Sequence, residues 1–256
     1  MSNRAFKKNA EFTSGAGAFY YANVLNATRD SELATTSKEG VFNPTGIKLI
    51  PGRRLLPGKL TRAIDANQIR LQQEVKMNGA FRIHLFAGHF DKALPTLQEF
   101  DAFLTSKDSF FNRHRPAAGA SSSIIDGYGA GVRFTEKEQR QHDRNPFFTF
   151  LTIFANPHTE WDIADVPFSL RHYRDQLYAD DLPDWRVPEA GPKAPIHTKY
   201  GIDTEKGAIV VVRPDGYVGA ITTFDKDGFE ALNTYFAGFL TGSASKANGA
   251  NGVNGH

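Results

Sequence analysis

One run of the sequence limits the fold more than any other: Phe147 to Ala155 (FFTFLTIFA), closed by Pro146 before it and by Asn156-Pro157 after it. The run is strand-length, rich in aromatic and β-branched residues, and free of polar alternation. It therefore predicts a central strand buried on both faces. Such a strand must be covered on both sides, and helices are the usual cover of a partly parallel sheet. Ala80 to Ala87 (AFRIHLFA) alternates Phe81, Ile83 and Leu85 with Arg82, His84 and Phe86 and stops at Gly88, the pattern of a second interior strand. A helix is predicted from Leu94 or Pro95 to Ser106, where Leu97, Phe100, Phe103 and Leu104 share a face and Pro95 suits a first turn. Leu170 to Leu177 reads as a helical piece within a longer connection. Ala208 to Arg213, the turn Pro214-Asp215-Gly216 and Tyr217 to Ile221 predict an antiparallel hairpin. Asp225 to Leu240 predicts an amphipathic helix carrying Phe229, Leu232, Phe236 and Phe239.

The order β-α-β-α-β-β-α is that of an α/β, thioredoxin-like mixed sheet with helices on both faces. Ahead of it lies an N-terminal extension and docking segment, residues 1–57. Phe12 to Asn26 has apolar residues at roughly helical spacing and predicts a short docking helix. Pro44 to Pro57 is dense in Pro and Gly and predicts an ordered but irregular connection. The main domain is expected over residues 58–241, opening with Leu60 to Ile64 and Ile69 to Val75 as an extended pair or a strand and a helical turn. Arg113 to Arg144 is small-residue-rich and predicts a surface excursion, and residues 242–256, mostly Gly, Ala, Ser, Asn and Lys, predict a disordered tail.

With 30 Lys+Arg against 28 Asp+Glu, the net charge is only +2, so no nucleic-acid partner is expected. No apolar run reaches the ~20 residues of a membrane span and Met1 to Glu11 has no leader-like apolar stretch, so no membrane partner and a cytoplasmic location are expected. The absence of cysteine excludes disulfides, thiolate metal sites and thiol nucleophiles.

Several stretches carry a family resemblance: NPTGIKLIPGRRLLPGK, GAFRIHLFAG, HTKYGID and GAIVVVRPDGYVGAI, with PGRR and VVVRPDGYVG the most specific. From about Phe12 to Leu240 the chain resembles the C-terminal region of phenol 2-monooxygenase-type flavin aromatic hydroxylases. The resemblance implies a thioredoxin-like domain that contributes to dimerisation and follows the flavin and substrate domains. The flavin cradle of those enzymes needs a strand, a GxGxxG turn and a helix. Neither Gly15-Ala16-Gly17 nor Gly127-Tyr128-Gly129-Ala130-Gly131 has that context, so no cofactor is expected on this chain. The position of a thioredoxin redox pair falls at Phe86 to Asp91, where no Cys stands.

The residues offer a few candidates for chemistry. His89-Phe90-Asp91 follows a predicted central strand, where α/β folds place ligands, and His-x-Asp can give two ligands of an iron site completed by His142, His158, His172 or His197. The same two residues serve equally as caps of the following helix. His84 is either a general base or a hydrogen-bonded core histidine. Arg53, Arg54 and Arg213 can clamp a planar anion, with Tyr217 as a phenolic neighbour, or can tie turns to the domain. The aromatic excess, 21 Phe, fills a core or lines a pocket or interface. The expected function is an accessory or assembly protein for aromatic-compound or secondary-metabolite oxidation, forming a homo-oligomer or a complex with a flavin monooxygenase. The alternative is a cofactor-independent isomerase or cyclase acting on an aromatic or polyketide-like small molecule.

Overall fold

The computed structural model describes residues 17–74, 79–115, 145, 147–182 and 195–240. The FFTFLTIFA run forms β4 (Phe148–Phe154) at the centre of a mixed sheet that has seven strands among the described residues, β1 (Lys59–Arg62), β2 (Gln68–Arg70), β3 (Phe81–Gly88), β4, β5 (Leu177–Ala179), β6 (Ala208–Val212) and β7 (Val218–Thr222), in the order β2-β1-β5-β4-β3-β6-β7. Its parallel neighbour β3 (Phe81–Gly88) pairs Ile83 with Phe150 and His84 with Leu151. Between them runs the crossover helix α2 (Phe90–Thr105), which buries Leu97, Phe100 and Leu104. This helix starts a turn earlier than the periodicity suggests, so Pro95 lies inside it. Gly88 permits the early start: its φ is +78°, and a Cβ there would sit 2.0 Å from the carbonyl oxygen of Thr204. The chain thus leaves the strand by a left-handed residue pressed against a neighbouring loop.

The predicted hairpin is β6 (Ala208–Val212) and β7 (Val218–Thr222), antiparallel, with Gly216 at φ +86° in the turn. The last helix, α6 (Lys226–Ala237), is capped by Asp225, whose side chain accepts from the Gly228 amide. Of the two readings of Leu60 to Val75, the structure has the extended pair, β1 (Lys59–Arg62) and β2 (Gln68–Arg70), antiparallel. β1 also pairs with β5 (Leu177–Ala179), a strand lying where the sequence suggested the end of a helical piece. The helical content there is confined to α4 (Phe168–Arg171) and a 3-10 turn, Arg174–Gln176.

Helices lie on both faces, unequally. On the first, α2, α3 (Phe110–Arg113), α4 and α6 enclose an aromatic core containing Phe90, Phe100, Phe110, Phe148, Phe150, Phe154, Phe229 and Phe236. Phe100 and Phe229 sit with ring centroids 4.9 Å apart, Phe110 and Phe236 4.8 Å. On the second face, among the described residues, only the five-residue α5 (Ile196–Tyr200) is helical, and the strap holding Leu49 and Leu55 adds irregular cover. The Pro/Gly-rich connection is therefore a structural lid over half of the core.

The extension also closes the sheet. Toward β7, Asn43 donates its amide to Ile221, Ala27 to Gly219 and Gly52 to Val218, while Thr223 donates to Val41. Covering an edge strand in this way hides its unpaired backbone groups. In the part of Phe12 to Asn26 that is described, residues 17–26, there is no helix; the apolar spacing places Tyr20 against Tyr217 and Phe19 against Tyr21 instead. The helical element of the extension is α1 (Glu32–Thr36), capped by Ser31. Most of the predicted excursion 113–144 and the tail 242–256 lie outside the described residues.

Candidate functional site

The residues predicted as an anion clamp, Arg53, Arg54, Arg213 and Tyr217, lie close together around the hairpin turn. The Tyr217 ring is buried beside that turn, and Tyr20 meets it edge-on at 4.9 Å. Arg54 lies 5.2 Å over Tyr217, Arg213 lies 5.8 Å from Tyr217 and 5.4 Å from Tyr20, and Arg53 lies 5.5 Å over Phe19. Each arginine thus rests on an aromatic face, an attraction worth about 0.5–1 kcal/mol at an exposed site. The backbone explains the convergence. Arg54 bridges to Tyr217, and Tyr20 donates its amide to Gly52. Gly52 has a φ of +88°, and a Cβ there would fall 2.0 Å from the Tyr20 carbonyl oxygen, so only glycine lets the two segments touch.

The three guanidinium groups are differently employed. Arg213 is committed: it donates to Asn26 Oδ1 at 2.8 Å and to Asp215 Oδ2 at 2.5 Å. Arg53 and Arg54 are exposed and have no carboxylate partner among the described residues. Beside them Tyr21, 80% exposed, meets Phe19 edge-on at 5.2 Å, and Phe19 and Tyr20 are themselves partly uncovered; Val24, 65% exposed, follows in the same segment. The result is a shoulder of aromatic and apolar side chains at the β7 edge carrying two guanidinium groups that have no carboxylate partner among the described residues.

The predicted catalytic residues do not meet there. His84 is fully buried on the second face, neither of its ring nitrogens has a hydrogen-bond partner, and burial, with the Arg82 charge second, pushes its imidazole down to about 3. It is a neutral core histidine at ordinary pH. Its neighbour Arg82 donates to the carbonyls of Arg213 and Pro214, anchoring the hairpin turn from below. His89 occupies the position before α2 without a side-chain cap bond, 3.9 Å from Glu205, and Asp91 lies exposed in the first turn. There a carboxylate favours the helix dipole without capping. His158 pairs with Asp181 and His197 with Asp180, while His172 packs edge-on against Phe168; His142 lies outside the described residues. Among the described residues no cluster of three or more His, Cys, Asp or Glu side chains is placed to hold a metal.

One buried polar unit escaped the sequence reading. Asp180, at the end of β5, accepts the amides of Ile196 and His197 and the Nδ1 of His197 at 2.7 Å, fixing α5 to the sheet. His197 Nε2 is buried and unpartnered. The signal was the HTKYGID segment, whose histidine figures in the sequence only as a possible iron ligand; its acidic partner lies 17 positions upstream.

A model of the phenol hydroxylase C-terminal dimerisation domain matches residues 18–244. The chain belongs to that family. It is 27% identical over 240 residues to 3-hydroxybenzoate 4-monooxygenase of Comamonas testosteroni, covering 92% of this chain and 32% of the relative. It is 24% identical over 250 residues to the FAD-dependent monooxygenase terD of Aspergillus terreus, covering 97% and 35%. The phenol 2-monooxygenase fsqG of Aspergillus fumigatus is 24% identical over 207 residues, covering 78% and 29%. The chain therefore spans about a third of the length of the curated relatives it matches. Among solved structures, BsSco, a member of the Sco family of cytochrome c oxidase assembly proteins, aligns over 78% of this chain and 98% of its own at 9% identity and a TM-score of 0.37, too slight a likeness to carry an argument. No helix among the described residues is long and apolar enough to cross a membrane.

Proposed function

We propose that this chain is an assembly module for aromatic-compound oxidation: it pairs with a second copy of itself and thereby organises the flavin monooxygenase machinery that performs the chemistry. The arrangement of β3, α2, β4, the β6–β7 hairpin and α6 is read here as a thioredoxin-like scaffold turned to association. The observation that carries the proposal is the shoulder at the β7 edge, where Phe19, Tyr20 and Tyr21 are exposed beside Arg53 and Arg54, which have no carboxylate partner among the described residues, with Val24 exposed a few residues further on. Tyr and Arg are the residues most enriched at the energetic centres of protein interfaces. A two-fold pairing brings the same patch of each copy together, so one cluster suffices for both sides. The family's dimerisation role supports a second copy as the occupant.

The isomerase or cyclase alternative has less behind it, because His84 is sealed in the core and His89 faces solvent beside Glu205. The test is light scattering on a sizing column over a range of concentrations. A mass of twice 28.3 kDa at micromolar concentration is the expected result. A strictly monomeric chain that also leaves the turnover of a related hydroxylase unchanged removes the proposal.

A further inference from the structure

Next to the turn that carries Tyr21, against the end of α6, lies a cleft of about 380 Å³. Its volume falls at the smaller end of pockets that hold a small molecule, roughly 300–1,000 Å³, and leaves room for an aromatic ring. Val24 and Leu33 give it apolar walls, Thr234 and Gly238 bring in the end of α6, and Asp30 and Glu32 make its rim acidic. Tyr21 does not line it; its ring leans on Phe19, 5.2 Å away.

Tyr21 has the form of an interface anchor. Its ring is 80% exposed, yet its peptide is held: Asn23 Nδ2 donates to the Tyr21 carbonyl at 2.9 Å, Asn26 Nδ2 donates to it at 3.2 Å, and Asn23 and Asn26 close the turn by a backbone bridge. A ring presented from a fixed backbone gives up little freedom on docking. The charges around it are sorted by sign. Among the described residues, Arg53 and Arg54 are exposed with no carboxylate partner on the shoulder, and Asp30 and Glu32 are exposed with no cationic partner at the cleft. The charges next to them are placed otherwise: Arg213 is paired with Asp215, and Arg29 lines a second cleft that Asp30 also borders.

One surface of the chain thus carries an exposed ring, a cleft with room for a ring, and two charges of each sign. Under two-fold symmetry each contact is made twice, once in each direction, so a surface that holds both halves of a contact can pair with its own copy. We propose that in a dimer of this chain Tyr21 of each copy seats in the cleft of the other, with Arg53 and Arg54 of one copy against Asp30 and Glu32 of the other. The proposal rests on the self-association argued above and specifies the contact that produces it. A second copy is the occupant that brings, from one segment of surface, both a ring for the cleft and cations for its acidic rim. The ring supplies buried apolar area, and the complementary charges fix the register in which the copies meet.

The test uses two charge-reversed forms of the full chain, Arg53→Glu with Arg54→Glu and Asp30→Lys with Glu32→Lys. Light scattering over a concentration series compares each alone, and their equimolar mixture, with the wild type, and circular dichroism follows folding. Each variant alone sets like charges across both copies of the contact and should dimerise about 100-fold more weakly. In the mixture both contacts are complementary again, so the two variants should pair with each other at close to the wild-type dissociation constant. Tyr21→Ala should weaken the dimer about 30-fold, the loss expected of an aromatic anchor. Ala22→Trp, at an exposed position on the cleft wall, fills the cleft from its own copy and should weaken it to a similar degree. A wild-type chain that stays monomeric removes the self-association reading and this contact with it. A wild-type dimer whose dissociation constant is unchanged in Tyr21→Ala and in both charge variants overturns this contact alone, as does a mixture of folded charge variants that pairs no more tightly than its components.

Discussion

The two faces of the sheet are built on different terms. The first is closed by α2, α3, α4 and α6 over a continuous aromatic core, to which a few buried polar side chains add ties, Asn233 accepting the Phe110 amide among them. The second is closed by α5 and an irregular strap, and the same side of β3 that carries Phe86 into that core also carries the buried Arg82 and His84. Helices with regular apolar stripes can close a face by packing alone. A strap without repeating structure needs specific ties: Tyr200 donates its hydroxyl to the Leu56 carbonyl and Lys199 its ammonium to that of Pro57. The first face should therefore fail by cavity formation and the second by loss of polar partners.

The largest effect is expected on the first face. Phe100→Ala removes a ring packed against Phe103, Phe150 and Phe229 and should cost about 3–5 kcal/mol in chemical denaturation. Asp180→Ala on the second face opens only a small void but strands two amides and an imidazole; about 3 kcal/mol is expected. If Asp180→Ala costs less than 1 kcal/mol (roughly a single exposed hydrogen bond), the polar ties are ornamental and the contrast between the faces collapses.

A smaller effect sharpens the same contrast through pH. The folded pKa of His84, about 3, lies below its ordinary 6.5, so the unfolded chain binds a proton that the folded chain refuses. Its contribution is complete above pH 6.5 and is lost as pH falls toward 3, by about 2 kcal/mol between pH 6.5 and 5. His84→Leu should flatten that part of the stability profile, a window above the ordinary carboxylate range. An unchanged slope in the variant would mean that another group titrates there. On stability, the smallest effect is at the shoulder: Arg54→Ala should move the melting midpoint little, since the side chain is exposed and loses only its stacking on Tyr217, at about 0.5–1 kcal/mol.

What the sequence revealed follows the same division. FFTFLTIFA, AFRIHLFA and the Pro-Asp-Gly hairpin were legible because periodicity and turn chemistry are local. β5 was hidden: three residues, Leu177-Tyr178-Ala179, are too few to show a period, and β1, which pairs with it, lies far away in sequence. The apolar residues around Phe19 and Tyr20 were read at helical spacing, whereas their cover is Gly52 and Tyr217, which no local pattern announces. Arg53, Arg54, Arg213 and Tyr217 were recognisable as types suited to an anion or an interface. Their convergence, and the tie of Asn43 to the β7 edge, depend on pairing across nearly 180 residues, as the contact of Asn43 with Ile221 shows.

The central claim is that the shoulder formed by residues 19–24 with Arg53 and Arg54 is where two copies meet. Light scattering of Tyr21→Glu with Val24→Glu, both exposed and free of core contacts, tests it most directly. The account predicts a wild-type dimer and a folded, monomeric variant of 28.3 kDa. A variant that remains dimeric with the wild-type dissociation constant would place the interface elsewhere and contradict the account.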